Sequence, residues 1–211
     1  MILDMNKYEG VLFDLDGTLV DSMDVWKEVV KAIYDANGID SDVNGDMKKY
    51  HAMKVSEVFV HIHKKWNTPM DEVGMKKLAD SILLDAYTNR ILEVKGAVGF
   101  VKRCKKDGKR MAVVTSSPMV LVKPVLQRLG IYDDFITIES AEDQRLSKHD
   151  PQIFEQALKA IDVPTSKTIF FEDSRYALET ADRLGITAIG MKTKAEPYID
   201  REAIGNFDEV R

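Results

Sequence analysis

The sequence Gly10-Val11-Leu12-Phe13-Asp14-Leu15-Asp16-Gly17-Thr18-Leu19 places an apolar run directly before two aspartates. An uninterrupted apolar run is typical of a strand that is covered on both faces, as in a parallel sheet. Alternate residues of a strand share a face, so Asp14 and Asp16 should point the same way from its carboxyl end. An Asp-Gly pair also forms turns by itself, and this pattern alone leaves a plain turn open.

Apolar runs recur along the chain and predict strands at 10–15, 110–115, 134–138, 167–171 and 186–190. Helical patterns occupy the segments between the later strands, at about 97–107, 119–130, 151–162 and 175–184. Asp150 and Pro151 form a helix start signal, and Gly130 and Gly185 stand where left-handed helix caps are expected. This alternation predicts an α/β fold, a doubly wound, Rossmann-like parallel sheet with helices on both faces. We expect residues from about 193 to 211 to form a loop and a short final element.

The segment between the first two predicted strands breaks this alternation. It contains helical patterns at 21–37, 55–67 and 71–91 and no strand pattern. A crossover in a doubly wound fold is normally one helix, so a longer helical insertion indicates a second, smaller domain. We predict a small all-helical domain at residues 20–92 and an α/β core domain at residues 1–19 and 93–211. The insertion should lie over the carboxyl ends of the strands, where such folds bind ligands.

Composition excludes several classes of protein. The chain has 211 residues, a net charge of -5 and one cysteine, Cys104, which rules out an internal disulfide. It contains no apolar run of about 18 residues, so no membrane association is expected. Its acidic balance argues against nucleic-acid binding. The absence of a secretory signal and the lone cysteine indicate a cytoplasmic protein. The sequence favours a monomer and leaves a homodimer open.

Acidic residues also follow a second predicted strand. Glu172 and Asp173 come directly after the apolar run at 167–171. One of them alone would be explained as a helix cap, but that explanation does not account for both. With Asp14 and Asp16 they would place four carboxylates on one rim of the sheet, because the carboxyl ends of parallel strands share an edge. Oxygen ligands without histidine or cysteine suit Mg²⁺.

Two further segments add groups that bind anions. The hydroxyl residues Thr115-Ser116-Ser117 end the second predicted strand, where hydroxyls and backbone N–H groups can cradle an anion. An ordinary helix cap explains them equally well. Lys148 lies just ahead of the helix start at Asp150, although a lysine at any position is usually solvated.

Taken in order, these segments resemble the four motifs of the haloacid dehalogenase-like (HAD-like) hydrolase superfamily. The motifs are Asp14-Leu15-Asp16-Gly17-Thr18-Leu19, Val114-Thr115-Ser116, Lys148 ahead of Pro151, and Glu172-Asp173-Ser174. The predicted helical insertion resembles the cap of its phosphoglycolate phosphatase and beta-phosphoglucomutase branch. The resemblance covers essentially the whole chain. Departures from the usual motifs occur at His149, which replaces a proline, at Ala177, which replaces a glycine, and at Lys95, which replaces a proline before Gly96.

The resemblance implies phosphoryl transfer with a role for each acid. Asp14 would be the nucleophile that forms an aspartyl-phosphate, and Asp16 the general acid and then the general base. Mg²⁺ would be held by Asp14, by the backbone carbonyl of Asp16 and by Asp173, with Glu172 binding directly or through water. The presence of Asp16 favours phosphate esters over haloacids as substrates.

The resemblance also assigns the phosphate-binding groups. Thr115, the backbone N–H of Ser116 and Lys148 would bind the remaining oxygens of the phosphate. Trp26 stands ten residues after Asp16, where the mutase pattern has a histidine. Trp26 would then form an apolar wall near the site, or it is a core aromatic of its helix. Lys54 stands where relatives place a basic residue that contacts substrate.

These observations predict a Mg²⁺-dependent phosphatase that hydrolyses a small phosphorylated metabolite, a phosphate monoester. Two alternatives stay open at this point. One is a beta-phosphoglucomutase-like phosphosugar mutase. The other is a catalytically idle HAD-like protein that binds a phosphorylated ligand or a partner protein.

Overall fold

The apolar runs form strands of one parallel sheet in this computed structural model, which describes residues 3–50, 53, 55–193 and 201–210. Among the described residues the strands are β1 (Gly10–Phe13), β2 (Arg110–Thr115), β3 (Thr137–Ser140), β4 (Thr168–Glu172), β5 (Thr187–Met191) and β6 (Ala203–Ile204). Their order in the sheet is β3-β2-β1-β4-β5-β6, with every pairing parallel. The predicted doubly wound sheet is therefore confirmed.

The described α-helices are α1 (Met23–Asn37), α2 (Val43–Tyr50), α3 (Val55–Trp66), α4 (Glu72–Asp85), α5 (Ala97–Lys106), α6 (Met119–Arg128), α7 (Ala141–Gln144), α8 (Pro151–Ile161) and α9 (Arg175–Arg183). The chain divides into two compact units, one of Met1–Asp21 with Ile91–Arg211 and one of Ser22–Arg90. The first holds the sheet and α5–α9, and the second holds α1–α4. None of the described helices has the length and apolar character needed to cross a membrane.

Both faces of the sheet are covered, which explains the uninterrupted apolar run of β1. Phe13 packs on one face among other aromatic rings, including Phe100 at 6.0 Å and Phe171 at 5.7 Å between ring centroids. Leu12 belongs to the buried cluster of the opposite face, together with Phe154 and Phe170. Neighbouring residues of the strand thus bury their side chains in different layers, and no polar face is left to water.

Helix boundaries follow the local signals read from the sequence. Asp150 caps α8 by accepting a hydrogen bond from the backbone N–H of Gln152 at 2.9 Å, and Pro151 is the first helical residue. Gly130 and Gly185 have φ values of 69° and 76°, the left-handed conformation expected after α6 and α9.

Several boundaries differ from the prediction. The third strand begins at Thr137 rather than 134, because Tyr132–Asp134 forms a 3-10 turn and Phe135 packs against Phe13. The first helix begins at Met23 rather than 21, since the backbone N–H of Asp21 donates to the carbonyl of Leu92. The tail contains β6 and a 3-10 turn at Phe207–Glu209, while residues 194–200 and 211 lie outside the described part.

The helical unit contains α2, which the sequence pattern did not predict. Its segment has weak helical character because it includes Asn44 and Gly45. Tertiary contacts hold it, since the hydroxyl of Tyr34 donates to Asp46 Oδ2 at 2.9 Å and lies 2.7 Å from the hydroxyl of Tyr50. Tyr34, Asp46 and Tyr50 are all buried. A helix of this kind is stabilised by its contacts rather than by its own propensity.

Candidate active site

The register of the sheet brings the ends of three strands to one level. Phe13 of β1 pairs with Val113 of β2 and with Phe171 of β4. The backbone N–H of Asp14 continues this ladder by donating to the carbonyl of Phe171 at 2.9 Å. The side chains that follow these positions therefore emerge at the same edge of the sheet.

Three carboxylates meet at this edge. Asp14, Glu172 and Asp173 each offer a carboxylate oxygen, and these oxygens all lie within 4.8 Å of one another. The exposed fractions of the three residues are 3%, 0% and 9%. Buried acids this close together repel one another unless a cation or protons neutralise them.

Lys148 supplies positive charge to this cluster. Its Nζ donates to Asp14 Oδ1 at 2.6 Å and to Glu172 Oε2 at 2.6 Å. The side chain is only 3% exposed, so the ordinary explanation of a solvated surface lysine does not apply. A second hydrogen bond orients the Glu172 side chain, because its Oε1 accepts from the backbone N–H of Ser174 at 2.9 Å.

The pKa values of the three acids are raised above their ordinary values, chiefly by burial. Burial, together with the charge of Glu172, raises the pKa of Asp14 to about 8 despite the neighbouring Lys148. Burial raises the pKa of Glu172 to about 7 and that of Asp173 to about 7. Burial acts to lower the pKa of Lys148, but the charges of Asp14 and Glu172 outweigh it and raise that pKa well above its ordinary value.

The donor set of this cluster fits a divalent cation. Carboxylate oxygens are the ligands that Mg²⁺ prefers, and a dication would offset the excess negative charge. Gly17 keeps the loop close to the acids, because a Cβ built on it would collide with Asp173 Oδ2. Its φ of 80° is also one that other residues rarely adopt. The predicted ligands Asp14, Glu172 and Asp173 are thus brought together.

Asp16, the predicted acid–base residue, contacts the loop that follows β2. Asp16 Oδ2 accepts a hydrogen bond from the hydroxyl of Ser117 at 2.5 Å. The backbone N–H of Ser117 donates in turn to Thr115 Oγ1 at 3.0 Å. Thr115 is fully buried at the end of β2, whereas Ser116 is exposed. The loop after β2 therefore belongs to the same site as the loop after β1.

Ser117 is the site residue that the sequence reasoning missed. Of the three hydroxyl residues after the second strand, the motif resemblance assigns a role only to Thr115 and Ser116. The available signal was the run of hydroxyls itself. It does not tell which hydroxyl meets Asp16, because 101 residues separate Ser117 from Asp16 along the chain.

The two residues predicted to contact substrate, Trp26 and Lys54, both lie between positions 22 and 90 of the sequence. Trp26 lies in α1 and is half-buried. Lys54 lies outside the described residues. Their assignment as substrate contacts stays a prediction.

Comparison with known proteins settles the family. The model of the haloacid dehalogenase-like hydrolases matches residues 8–185, which is most of the chain. The chain is a haloacid dehalogenase-like hydrolase. This hydrolase is 27% identical to validoxylamine A 7'-phosphate phosphatase of Streptomyces hygroscopicus subsp. limoneus, over 95% of this chain and 92% of that protein. It is 26% identical to hexitol phosphatase B of Escherichia coli, over 78% and 75% of the two chains.

A solved structure supports the fold of the hydrolase. The crystal structure of CbbY from Rhodobacter sphaeroides in complex with phosphate has a TM-score of 0.79 to this chain. The two chains are 19% identical, and the likeness covers 96% of each. The family model and the two phosphatase relatives confirm the predicted family and the predicted class of enzyme, a HAD-like phosphatase.

Proposed function

We propose that this hydrolase is a Mg²⁺-dependent phosphatase that hydrolyses a small phosphorylated metabolite through an aspartyl-phosphate intermediate. The observation that carries the proposal is the buried group of Asp14, Lys148, Glu172 and Asp173 at the carboxyl edge of the sheet. A nucleophile, a buried cation and a set of oxygen ligands are the parts that phosphoryl transfer requires.

Asp14 would attack phosphorus with one of its carboxylate oxygens. Lys148 is already within 2.6 Å of Asp14 Oδ1, so its ammonium group would also lie near the phosphoryl oxygens of a bound ester. Thr115 and the backbone N–H of Ser116 would provide further donors to those oxygens. Donors held in place before the reaction stabilise developing charge without reorganising.

Asp16 would transfer the proton. Its carboxylic acid would protonate the ester oxygen as the alcohol leaves, and its carboxylate would then remove a proton from the water that attacks the aspartyl-phosphate. Ser117 holds this side chain through the hydrogen bond to Oδ2.

A divalent metal would complete the site. Asp14, Asp173 and the backbone carbonyl of Asp16 would hold Mg²⁺, with Glu172 beside them. When bound, Mg²⁺ supplies positive charge that reduces the repulsion between the anionic nucleophile and the anionic phosphate. Glu172 accepts a hydrogen bond from Lys148, so it also orients the ammonium group.

The relatives support phosphate esters as the substrate class, because the names of both curated relatives describe phosphatases. The cap role of residues 20–92, the core boundaries at 1–19 and 93–211, the cytoplasmic location and the monomeric state remain predictions from the sequence.

Phosphate release tests this function directly. The assay uses Mg²⁺ and a panel of sugar phosphates, phosphoglycolate, nucleoside monophosphates and an aryl phosphate. Turnover that disappears with EDTA and in Asp14→Asn is the expected result. Folded protein that binds Mg²⁺ and releases no phosphate from any ester would overturn the proposal and leave a mutase or a binding protein.

A further inference from the structure

A chain of hydrogen bonds connects Asp16 with the far side of the loop after β2. Ser117 donates from its hydroxyl to Asp16 Oδ2 at 2.5 Å. The carbonyl oxygen of Ser117 accepts a hydrogen bond from the hydroxyl of Ser140 at 2.9 Å. Ser117 and Ser140 are 8% and 2% exposed, so the bond between them is shielded from water, whereas Asp16 is half-buried.

Residues at the end of β3 and just after it also hold the other end of this loop. Ser140 accepts a hydrogen bond from the backbone N–H of Asp143 at 3.2 Å, which places Asp143 beside the loop. Asp143 Oδ2 accepts a hydrogen bond from the backbone N–H of Met119 at 2.8 Å. Residues 117–119 are thus held at two points by residues 140–143, and the Ser117 hydroxyl is directed by a fixed backbone.

We propose that Ser117 is a positioning residue that fixes the rotation of the Asp16 carboxyl group for proton transfer. This inference rests on the proposed phosphatase function and adds a residue that the motif assignment omits. Because Asp16 Oδ2 accepts the hydrogen bond from Ser117, the proton that Asp16 transfers would reside on Oδ1. Ser140 supports this role by holding the Ser117 backbone.

The step in which Ser117 acts is the departure of the alcohol. A bond forms between Asp14 and phosphorus while the bond between phosphorus and the ester oxygen breaks. The ester oxygen takes the proton from Asp16 and leaves as the neutral alcohol, so Asp16 becomes a carboxylate. In hydrolysis, water attacks phosphorus and gives one of its protons to the Asp16 carboxylate. The bond between phosphorus and Asp14 breaks, its electron pair returns to the Asp14 carboxylate, and inorganic phosphate leaves. Ser117 keeps its own proton throughout.

Esters with different leaving groups separate this role from a structural one. An alkyl phosphate needs a proton on its leaving oxygen, whereas 4-nitrophenyl phosphate releases a stabilised anion that needs little help. We expect Ser117→Ala to lower kcat about 10- to 100-fold on an alkyl phosphate and less than about threefold on 4-nitrophenyl phosphate. Ser117→Thr, which keeps the hydroxyl, should restore most of the alkyl activity. Ser166→Ala, at an exposed position, is the matched control and should change neither rate.

A double-mutant cycle tests whether Ser117 acts through Asp16. In the Asp16→Asn background, Ser117→Ala should have no further effect on the alkyl ester, because the group it positions is gone. Two outcomes would overturn the positioning role: an equal loss of kcat on both esters, or an undiminished effect of Ser117→Ala in the Asp16→Asn background. Either outcome would indicate that Ser117 binds phosphate or stabilises the fold. If the wild-type enzyme releases phosphate from no ester of the panel, the proposed function itself fails. If the wild type is active and Ser117→Ala lowers its activity on both kinds of ester equally, only the positioning role fails.

Discussion

Lys148 Nζ lies 2.6 Å from Oδ1 of Asp14, although 134 residues separate the two in the chain. The same ammonium group contacts Glu172 at 2.6 Å, so one buried cation joins acids from the ends of β1 and β4. This arrangement gathers acidic groups at the carboxyl edge of the sheet, and Lys148 offsets part of their charge.

Replacing Lys148 should lower both the free energy of unfolding and the rate of phosphate release. Lys148→Met leaves buried carboxylates without their partner, which typically costs about 3–5 kcal/mol in unfolding free energy. Phosphate release should fall about 100- to 1000-fold because a donor to the phosphoryl group is lost. Urea unfolding without metal and initial rates with Mg²⁺ measure the two effects.

Lys76→Met provides the control for this variant. Lys76 pairs with Asp80 on the surface, where both side chains are more than half exposed. Its loss should change the unfolding free energy by no more than about 1 kcal/mol. A Lys148→Met protein as stable and active as the wild type would contradict the role assigned to Lys148.

Asp14→Asn should separate stability from function. The substitution removes a carboxylate whose pKa is raised to about 8 by burial and by the charge of Glu172. Turnover and the Mg²⁺-dependent rise in Tm should both disappear, while the Tm of the metal-free protein should not fall. Differential scanning fluorimetry with and without Mg²⁺ gives the comparison, and a clear drop in metal-free Tm would argue against crowded charge at this site.

The pH dependence of metal binding follows from the raised pKa values. Asp14, Glu172 and Asp173 have pKa values of about 8, 7 and 7, above their ordinary values of 3.8, 4.5 and 3.8. The folded, metal-free chain therefore holds protons that the unfolded chain has released. The free energy of unfolding that these bound protons contribute is fully present below the ordinary pKa values, and it declines as the pH rises toward 8.

Magnesium should reverse this decline because it binds the deprotonated acids. We expect the Tm increase caused by Mg²⁺ to grow between about pH 6 and about pH 8. Thermal scans at fixed Mg²⁺ across this range provide the measurement. A Tm increase that is the same at every pH would show that protons and metal do not compete for these side chains.

The helical unit has its own buried charge, Asp46. Burial acts to raise the pKa of Asp46, but hydrogen bonds from Ser41 and Tyr34 outweigh it and lower that pKa below its ordinary value. The carboxylate therefore stabilises the unit above its ordinary pKa, and this contribution is lost as pH falls through the lowered value. Asp46→Asn should cost about 1–3 kcal/mol at neutral pH, measured by urea unfolding.

Asp35→Asn is the matched control for Asp46→Asn. Asp35 forms an ion pair with Lys31 in which both side chains are 64% exposed. Its removal should change stability by no more than about 0.5 kcal/mol. Equal effects of the two substitutions would show that the buried hydrogen bonds of Asp46 add nothing to the stability of the helical unit.

His149, which replaces the usual proline of its motif, stacks on Tyr176 with a centroid distance of 4.3 Å. This contact joins the residue after Lys148 to α9. Alanine substitutions at both positions should show a coupling of about 0.5–1.5 kcal/mol in a double-mutant cycle of unfolding free energies. His149→Phe should retain the coupling because it keeps an aromatic ring, and additive single substitutions would show that the stacked rings contribute nothing.

The parts of the fold that depend on neighbouring residues could be predicted. The strand before Asp14, the capped start of α8 and the glycines after α6 and α9 each carry their signal within a few residues. The parts that depend on distant contacts were not predicted. Helix α2 forms where Asp46 meets Tyr34, and β3 begins late because Phe135 packs against Phe13.

The same division holds for the site. The sequence by itself determined which residue types end the strands and in which order, because alternating apolar runs define a parallel sheet whose carboxyl ends share an edge. Only the tertiary structure decided that Lys148 is buried between Asp14 and Glu172 and that Ser117, rather than Ser116, meets Asp16. These contacts join residues that lie 24, 101 and 134 positions apart in the chain, and no local pattern specifies which side chains will meet over such separations.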